Sequence, residues 1–351
     1  MSTIHPPFTC SYTPSIPELI NQLGVSLVLT TYQAGKMIIL SAPTPDKLVQ
    51  LPRNFDKAMG IAIGNDMLGV ASKTEISVFR NSPGHAMEYP DQPNTYDNLY
   101  IPKATYYTGS IDAHDLVFSK AGLLAVNTTF SCLALIDDEY SFKPVWKPPF
   151  ITEIEPGDRC HLNGVALLNG APEYVTALGK TNEPGAWRTN KSKGGLIIHV
   201  PTNEIVVEGL SMPHTPRIYG DQLFFLNSGK GELMAMDIAT RKTEVIKSFP
   251  YFLRGMAQVG DYLFIGLSKI RKSSTSFQEL PISESSNVAG IAVVYLPYKS
   301  VVGTIKYENS VEEIFDLQVL PFKRPGLMST QKDTFKGCVV TKENSYWLVP
   351  K

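Results

Sequence analysis

Leu223-Phe224-Phe225-Leu226-Asn227-Ser228-Gly229-Lys230-Gly231-Glu232-Leu233-Met234-Ala235-Met236 sets two short apolar runs on either side of a glycine-flanked turn. Runs of this length, rich in aliphatic and aromatic residues and separated by a tight turn, read as two buried β-strands. Just ahead lies a third apolar segment, Thr215-Pro216-Arg217-Ile218, short enough to be a neighbouring strand of the same sheet.

Working outward, the same strand–turn–strand unit returns along the chain. Val25 to Tyr32 turns at Gln33-Ala34-Gly35-Lys36 into Met37 to Leu40, and Met67 to Ser72 turns into Glu75 to Phe79. Leu123 to Thr128 turns into Cys132 to Ile136, Tyr174 to Leu178 leads into Gly195 to Val200, and Tyr262 to Leu267 leads into Gly290 to Tyr295. The period is roughly 40–55 residues, which is the range of propeller blades rather than of helical repeats. A further apolar segment precedes most units and supplies an innermost strand: Met59 to Ala62, His114 to Val117, Asn163 to Ala166, Thr215 to Ile218 and Arg254 to Ala257. The first unit lacks one on its N-terminal side, and the missing piece stands near the other terminus as Phe315-Asp316-Leu317-Gln318-Val319-Leu320. A C-terminal inner strand that completes an N-terminal blade closes a ring and leaves only short, protected edges. The expected fold is therefore all-β: one six-bladed β-propeller domain over residues 1–351, with a lead-in over 1–23, blades over about 24–323 and a tail over 324–351. A short helix from Pro17 to Leu23, capped by Ser15 and ended by Gly24, is expected in the lead-in.

Composition agrees with an ordinary globular chain, 43% apolar and 19% charged with a net charge of -1. The near balance leaves no basic footprint for nucleic acid. No apolar run reaches the eighteen or so residues of a membrane span, and no signal-peptide pattern follows Met1. Cys10, Cys132, Cys160 and Cys338 have no CxxC spacing, so reduced thiols and a cytoplasmic location are expected. Oligomeric state is left open.

Most of the chain resembles a bacterial family of conserved, propeller-like proteins of unknown function. The resemblance rests on Thr31-Tyr32-Gln33-Ala34-Gly35-Lys36, Ile111-Asp112-Ala113-His114-Asp115, Asp158-Arg159-Cys160-His161-Leu162-Asn163-Gly164, Ser211-Met212-Pro213-His214, Gly266-Leu267-Ser268-Lys269-Ile270-Arg271 and Val311-Glu312-Glu313-Ile314-Phe315-Asp316. It implies a propeller and no particular activity. The segment after Arg324 departs from the pattern, and no role is carried onto it.

Chemistry-bearing residues gather where the inner strands begin. His114, His161 and His214 stand at three successive blades, and Asp112, Asp115, Asn163, Arg254 and Glu313 stand at the corresponding places of these and other blades. In a propeller these points converge on one end of the central channel. Three imidazoles with a carboxylate from Glu313 or Asp115 suit one divalent transition metal, Zn, Fe or Cu, with an open position. Without a metal, the same histidines and Glu313 supply acid, base and hydrogen-bonding groups. A third reading has the histidines closing blades by bonding neighbouring backbone. One difficulty is phase: His114 stands one residue before its apolar run, His214 two and His161 three, so strict alternation would not aim all three alike.

Asn163, Arg254 and Asp115 are expected to bind substrate, an arginine at this place suiting a carboxylate or phosphate. Lys269 and Arg271 follow a strand end near the same mouth. Three insertions interrupt the repeat. Residues 83–108 and 180–194 have the length of functional covers, the second carrying Trp187 and Arg188 as further substrate contacts. The Ser-rich stretch 271–288 reads as a surface loop. Cys160 beside His161 raises a Cys–His nucleophile, but adjacent strand residues point to opposite faces. The expected function is an enzyme acting on a small polar or anionic substrate at a histidine-lined channel mouth, in a metal-dependent or metal-free version. The alternative is a non-catalytic propeller that binds a small ligand or protein through the same face.

Overall fold

The computed structural model describes residues 6–270, 277 and 279–348. It contains six sheets in a ring, each built outward from an inner strand. Blade 1 runs Asp316–Leu320, Ser26–Thr31, Lys36–Thr44, Lys47–Asn54, and blade 2 runs Ile61–Gly64, Met67–Ala71, Glu75–Asn81, Asn98–Tyr107. Blade 3 is Ala113–Ser119, Gly122–Asn127, Cys132–Ile136, Lys143–Trp146, and blade 4 is Leu162–Leu168, Ala171–Ala177, Gly195–His199, Glu204–Leu210. Blade 5 is Pro213–Tyr219, Gln222–Asn227, Glu232–Asp237, Thr243–Ser248, and blade 6 is Phe252–Val259, Tyr262–Ser268, Gly290–Tyr295, Ser300–Tyr307.

The inner strands neighbour one another in ring order, blade 6 meeting blade 1. Closure is as the sequence leads one to expect: the C-terminal strand pairs antiparallel with Ser26–Thr31, from Ser26 opposite Leu320 to Thr30 opposite Asp316. Both faces of each blade are covered by its neighbours, which is why the middle strands read as unbroken apolar runs. Leu27, Ile38 and Leu40 of blade 1 pack with Phe264, Ile291 and Val293 of blade 6 in one such layer. Full burial of each such side chain contributes about 1.5–3 kcal/mol.

The chain ends brace the closure. Cys10–Tyr12 adds an outer strand to blade 6 and Pro325–Leu327 a parallel one to blade 2, either side of the seam in blade 1. The helix spans Ser15–Leu23, burying Ile16 and Ile20, and ends at Gly24 with φ of 68°. Ser15 does not cap it: Pro14 takes the capping position and no side-chain bond is made there. Insertion 83–108 is not a cover for the channel, because its later part is the outer strand of blade 2. Its earlier part holds the C-terminal hairpin of Cys338–Val340 and Ser345–Trp347, through Trp347 edge-on to His85 at 4.9 Å and a bond from His85 Nε2 to the Tyr346 carbonyl at 2.9 Å.

Around the channel the blades are stapled in alternation. Asp316 of blade 1 accepts the Ile61 N–H of blade 2 at 2.9 Å, Asp115 of blade 3 accepts the Val165 N–H of blade 4 at 3.0 Å, and Thr215 of blade 5 accepts the Gly255 N–H of blade 6 at 3.1 Å. The even blades answer with glycine: a Cβ on Gly60 would lie 2.8 Å from Asp115 backbone and one on Gly255 2.5 Å from the Leu317 nitrogen. The ring thus has approximate threefold character, with Phe315-Asp316, His114-Asp115 and His214-Thr215 in equivalent places.

Candidate functional site at the channel mouth

The phase difficulty of the three histidines is resolved by the backbone. Asp112, Asp158, His161, Met212 and Thr215 all have left-handed φ between 49° and 52°, a region that is costly for side chains of this size. The pairing of the inner strands slips beside them, between Ala125 and Asn127, Leu162 and Gly164, and His214 and Arg217. These bulges turn each histidine by a different amount, so unequal offsets in sequence still reach the same mouth.

His114 and His214 are held in a similar way, with Asp112 Oδ1 also 3.4 Å from His114 Nδ1. His114 Nδ1 lies 3.3 Å from the Asp112 carbonyl and 2.9 Å from Thr128 Oγ1, and His214 Nδ1 lies 2.9 Å from the Met212 carbonyl and 3.1 Å from Ser228 Oγ. A carbonyl only accepts, so each Nδ1 carries the proton and each Nε2 keeps its lone pair. Both rings are buried, and burial, with His161 and Arg254 close by, holds both well below the usual imidazole range. They are neutral at pH 7.

His161 is held differently. Its Nδ1 donates to Asp158 Oδ1 at 2.9 Å, while Asp158 Oδ2 accepts from Trp187 Nε1 and from Arg188, each at 3.0 Å. The His161 ring lies 4.7 Å from that of His114, edge to face, and 4.3 Å from that of Trp187. Insertion 180–194 is therefore part of the site, with Trp187 and Arg188 fastened to the carboxylate that orients His161. Asp158 itself was not singled out from sequence, although the spacing Asp158-Arg159-Cys160-His161 carried the signal.

Arg254 lies across Phe315, its guanidinium carbon 3.4 Å from the ring centroid. Among the described residues no group accepts a hydrogen bond from that guanidinium. Glu313, Asp112 and Asp316 act on it through space, while burial pulls it down to about 10, still a cation at neutral pH. Glu312 pairs with Lys269 at 3.1 Å, and Glu313 accepts the Gln33 N–H at 2.8 Å.

His161, His214 and Arg254 line a cavity of about 460 Å³, whereas His114 packs against His161 and is not part of the lining. Blade 4 contributes His161, Trp187, Arg188 and Lys191, blade 5 Met212 and His214, blade 6 Phe252, Arg254 and Lys269, and blade 1 Gln33 and Glu313. The stretch read as a surface loop instead buries Leu280 and Ile282 beside Trp187, Met212 and Phe252. Residues 271–276 and 278, Arg271 among them, lie outside the described residues, as does His5.

Two expected substrate contacts do not reach the cavity. Asn163 spans blades, donating to the Pro213 carbonyl at 3.0 Å and accepting from Thr176 at 2.6 Å. Asp115 lies deeper in the channel, clasped bidentately by Arg217 at 2.8 and 3.1 Å, with Asp316 3.7 Å from the same guanidinium. Two carboxylates share one cation there, and burial pushes Asp316 up to about 7. Sequence reading missed Arg217 and Asp316 as partners, because nothing local marks a pairing across the ring. Cys160 is fully buried with its thiol pushed up to about 12, unfit as a nucleophile. Among the described residues no group of three His, Cys, Asp or Glu side chains is placed to hold an ion, so a metal centre of His114, His161 and His214 is not shown.

The profile of a family described as Domain of unknown function (DUF4915) matches residues 14–328. The chain belongs to the DUF4915 family. No curated protein matches it significantly. Among solved structures it is similar to a chain in the crystal structure of a nidogen/laminin complex, at 10% identity, with a TM-score of 0.54 over 85% of this chain and 100% of that one. A likeness at that identity is one of propeller fold alone. The DUF4915 match takes in all six blades and every residue of the cavity, and it stops after Pro325–Leu327, before the C-terminal hairpin.

Proposed function

We propose that the cavity at the channel mouth binds a small anionic molecule through Arg254 and that the His161–Asp158 pair acts on it as general base and acid. The observation that carries this reading is Arg254: a cation held flat on Phe315, facing a cavity, with its donors unclaimed by any described residue. A desolvated guanidinium in this state is completed by a carboxylate or phosphate oxygen pair. The volume lies within the range of small-molecule sites.

A carboxylate behind an imidazole fixes its tautomer and stabilises the imidazolium that forms when Nε2 takes a proton. His161 has that arrangement and faces the same cavity. His214, neutral and anchored at Nδ1, acts beside it as a hydrogen-bonding group, and His114 packs against the His161 ring. Glu313 lines the cavity as a second carboxylate, close enough to act on Arg254 through space.

Calorimetric titration of wild type and Arg254→Gln with a panel of small carboxylates and phosphates tests the reading. Binding by wild type that is lost in a folded Arg254→Gln protein supports it. Absence of binding to every anion, or equal binding by both proteins, overturns it. Binding without any conversion that depends on His161 would leave the non-catalytic alternative in its place.

A further inference from the structure

The walls of the cavity say more about the ligand than its anchor does. Resting on the reading of Arg254 as an anion anchor, we infer that the ligand is a monocarboxylate with an apolar, ring-sized body rather than a phosphorylated sugar or a nucleotide.

Charge comes first. Four cationic side chains line the cavity, but two of them are already matched: Arg188 pairs with Asp158 at 3.0 Å and Lys269 with Glu312 at 3.1 Å. Lys191 also has an interaction of its own. Glu313 adds a negative group to the lining. A polyanion would need several uncommitted cations and would meet Glu313 at close range, whereas one carboxylate needs only the fork of Arg254.

The second argument is apolar surface. Trp187, Met212, Phe252, Ile270 and Phe277 line the cavity and belong to one hydrophobic cluster with Leu178, Leu280 and Ile282. The rings of Phe252 and Phe277 meet edge to face at 5.6 Å, and Phe252 stands against His214 at 5.7 Å. A sugar hydroxyl placed on this wall would lose its water without gaining a partner. A phenyl or branched alkyl group would bury well there and engage the aromatic edges. Anchor and wall line one ligand-sized space, with Phe252 and Arg254 two residues apart on the same strand, so head and body of the same molecule satisfy both.

The test is titration of the full chain with phenylacetate, acetate, inorganic phosphate and glucose 6-phosphate. Phenylacetate is expected to bind roughly tenfold or more tightly than the other three, the gain of a buried ring over a methyl group. Phe252→Ala is expected to lower phenylacetate affinity to that of acetate, and Arg254→Gln to abolish binding of both. Phe277→Ala, on the cavity side of the same pair, gives the same result should Phe252→Ala fail to fold. Tighter binding of phosphate or glucose 6-phosphate through Arg254 overturns this inference and leaves the anion site standing. Phenylacetate binding that survives Arg254→Gln, or no binding of any probe, overturns both.

Discussion

Three histidines that look alike in sequence divide into two kinds in space. His114 and His214 are each set by a carbonyl two residues back and a hydroxyl fourteen residues on, with Asp112 Oδ1 an additional 3.4 Å from His114 Nδ1. His161, on the blade between them, is set by a carboxylate that also fastens Trp187 and Arg188. The difference decides what each ring can do. A ring backed by a carbonyl gives up free energy when it takes a proton in a buried place, whereas one backed by a carboxylate has a counter-charge waiting. The proton-transfer role proposed for His161 rests on this difference.

The strongest way to break this division lies below the mouth. Arg217 joins Asp115 and Asp316, the residues that directly follow His114 and Phe315. Arg217→Met leaves two buried carboxylates without their cation, and the expected loss is about 3–5 kcal/mol, read from urea unfolding. For scale, removing the exposed Arg241–Glu204 pair is expected to cost under about 1 kcal/mol.

Asp158→Asn tests the other kind of histidine. With the carboxylate gone, conversion of any carboxylate substrate is expected to fall by about a hundredfold or more. Phenylacetate affinity, which depends on Arg254, should change only a few-fold. A Michaelis-constant effect in place of a rate effect would place Asp158 in binding instead.

A third expectation concerns acid. His114 and His214 are held below their unfolded values, so the unfolded chain binds more protons below pH ~6.5 and stability falls as pH drops through that region. Asp316 works in the opposite sense: its raised value means that stability is lost as pH climbs towards 7. Thermal unfolding of Asp316→Asn across pH 4.5–7.5 removes the opposing titration and exposes the histidine slope. Replacing His214 with Asn in that background should reduce the slope and leave the share of His114.

The smallest effects fall on the hydroxyls. Thr128→Val and Ser228→Ala each remove one partner of a buried Nδ1–H and should cost about 0.5–1.5 kcal/mol. Thr128→Val should cost more than Ser228→Ala, because Thr128 Oγ1 also donates to the Leu162 carbonyl of the next blade at 2.5 Å, whereas Ser228 Oγ reaches only the Leu226 carbonyl of its own strand at 3.4 Å. A larger cost at Ser228 would contradict that order.

Much of the ring was legible in the sequence because its signals are local or repeated. Each blade announces itself by an apolar run, a turn and a second run, and the missing first inner strand had one candidate, at Phe315 to Leu320. The convergence of His114, His161, His214 and Arg254 followed from that repeat. What could not be read was which neighbour each polar side chain would choose. Asp115 and Asn163 resemble ligand contacts until Arg217, Val165, Thr176 and Pro213 are seen to occupy them. Those partners lie in other blades or strands, and no spacing rule marks them. Asp158 was hidden for another reason: its partners Trp187 and Arg188 sit in an insertion outside the repeat. The left-handed turns at Met212 and Thr215 fall on residues whose types do not advertise them.

Long-range proton–nitrogen correlation spectra of the histidine side chains at neutral pH test the division most directly. All three rings should carry the proton at Nδ1, and Asp158→Asn should shift the nitrogens of His161 while leaving the Nδ1–H signatures of His114 and His214 in place. A His161 protonated at Nε2 in the wild type, or nitrogen signals of His161 indifferent to Asp158→Asn, would contradict it.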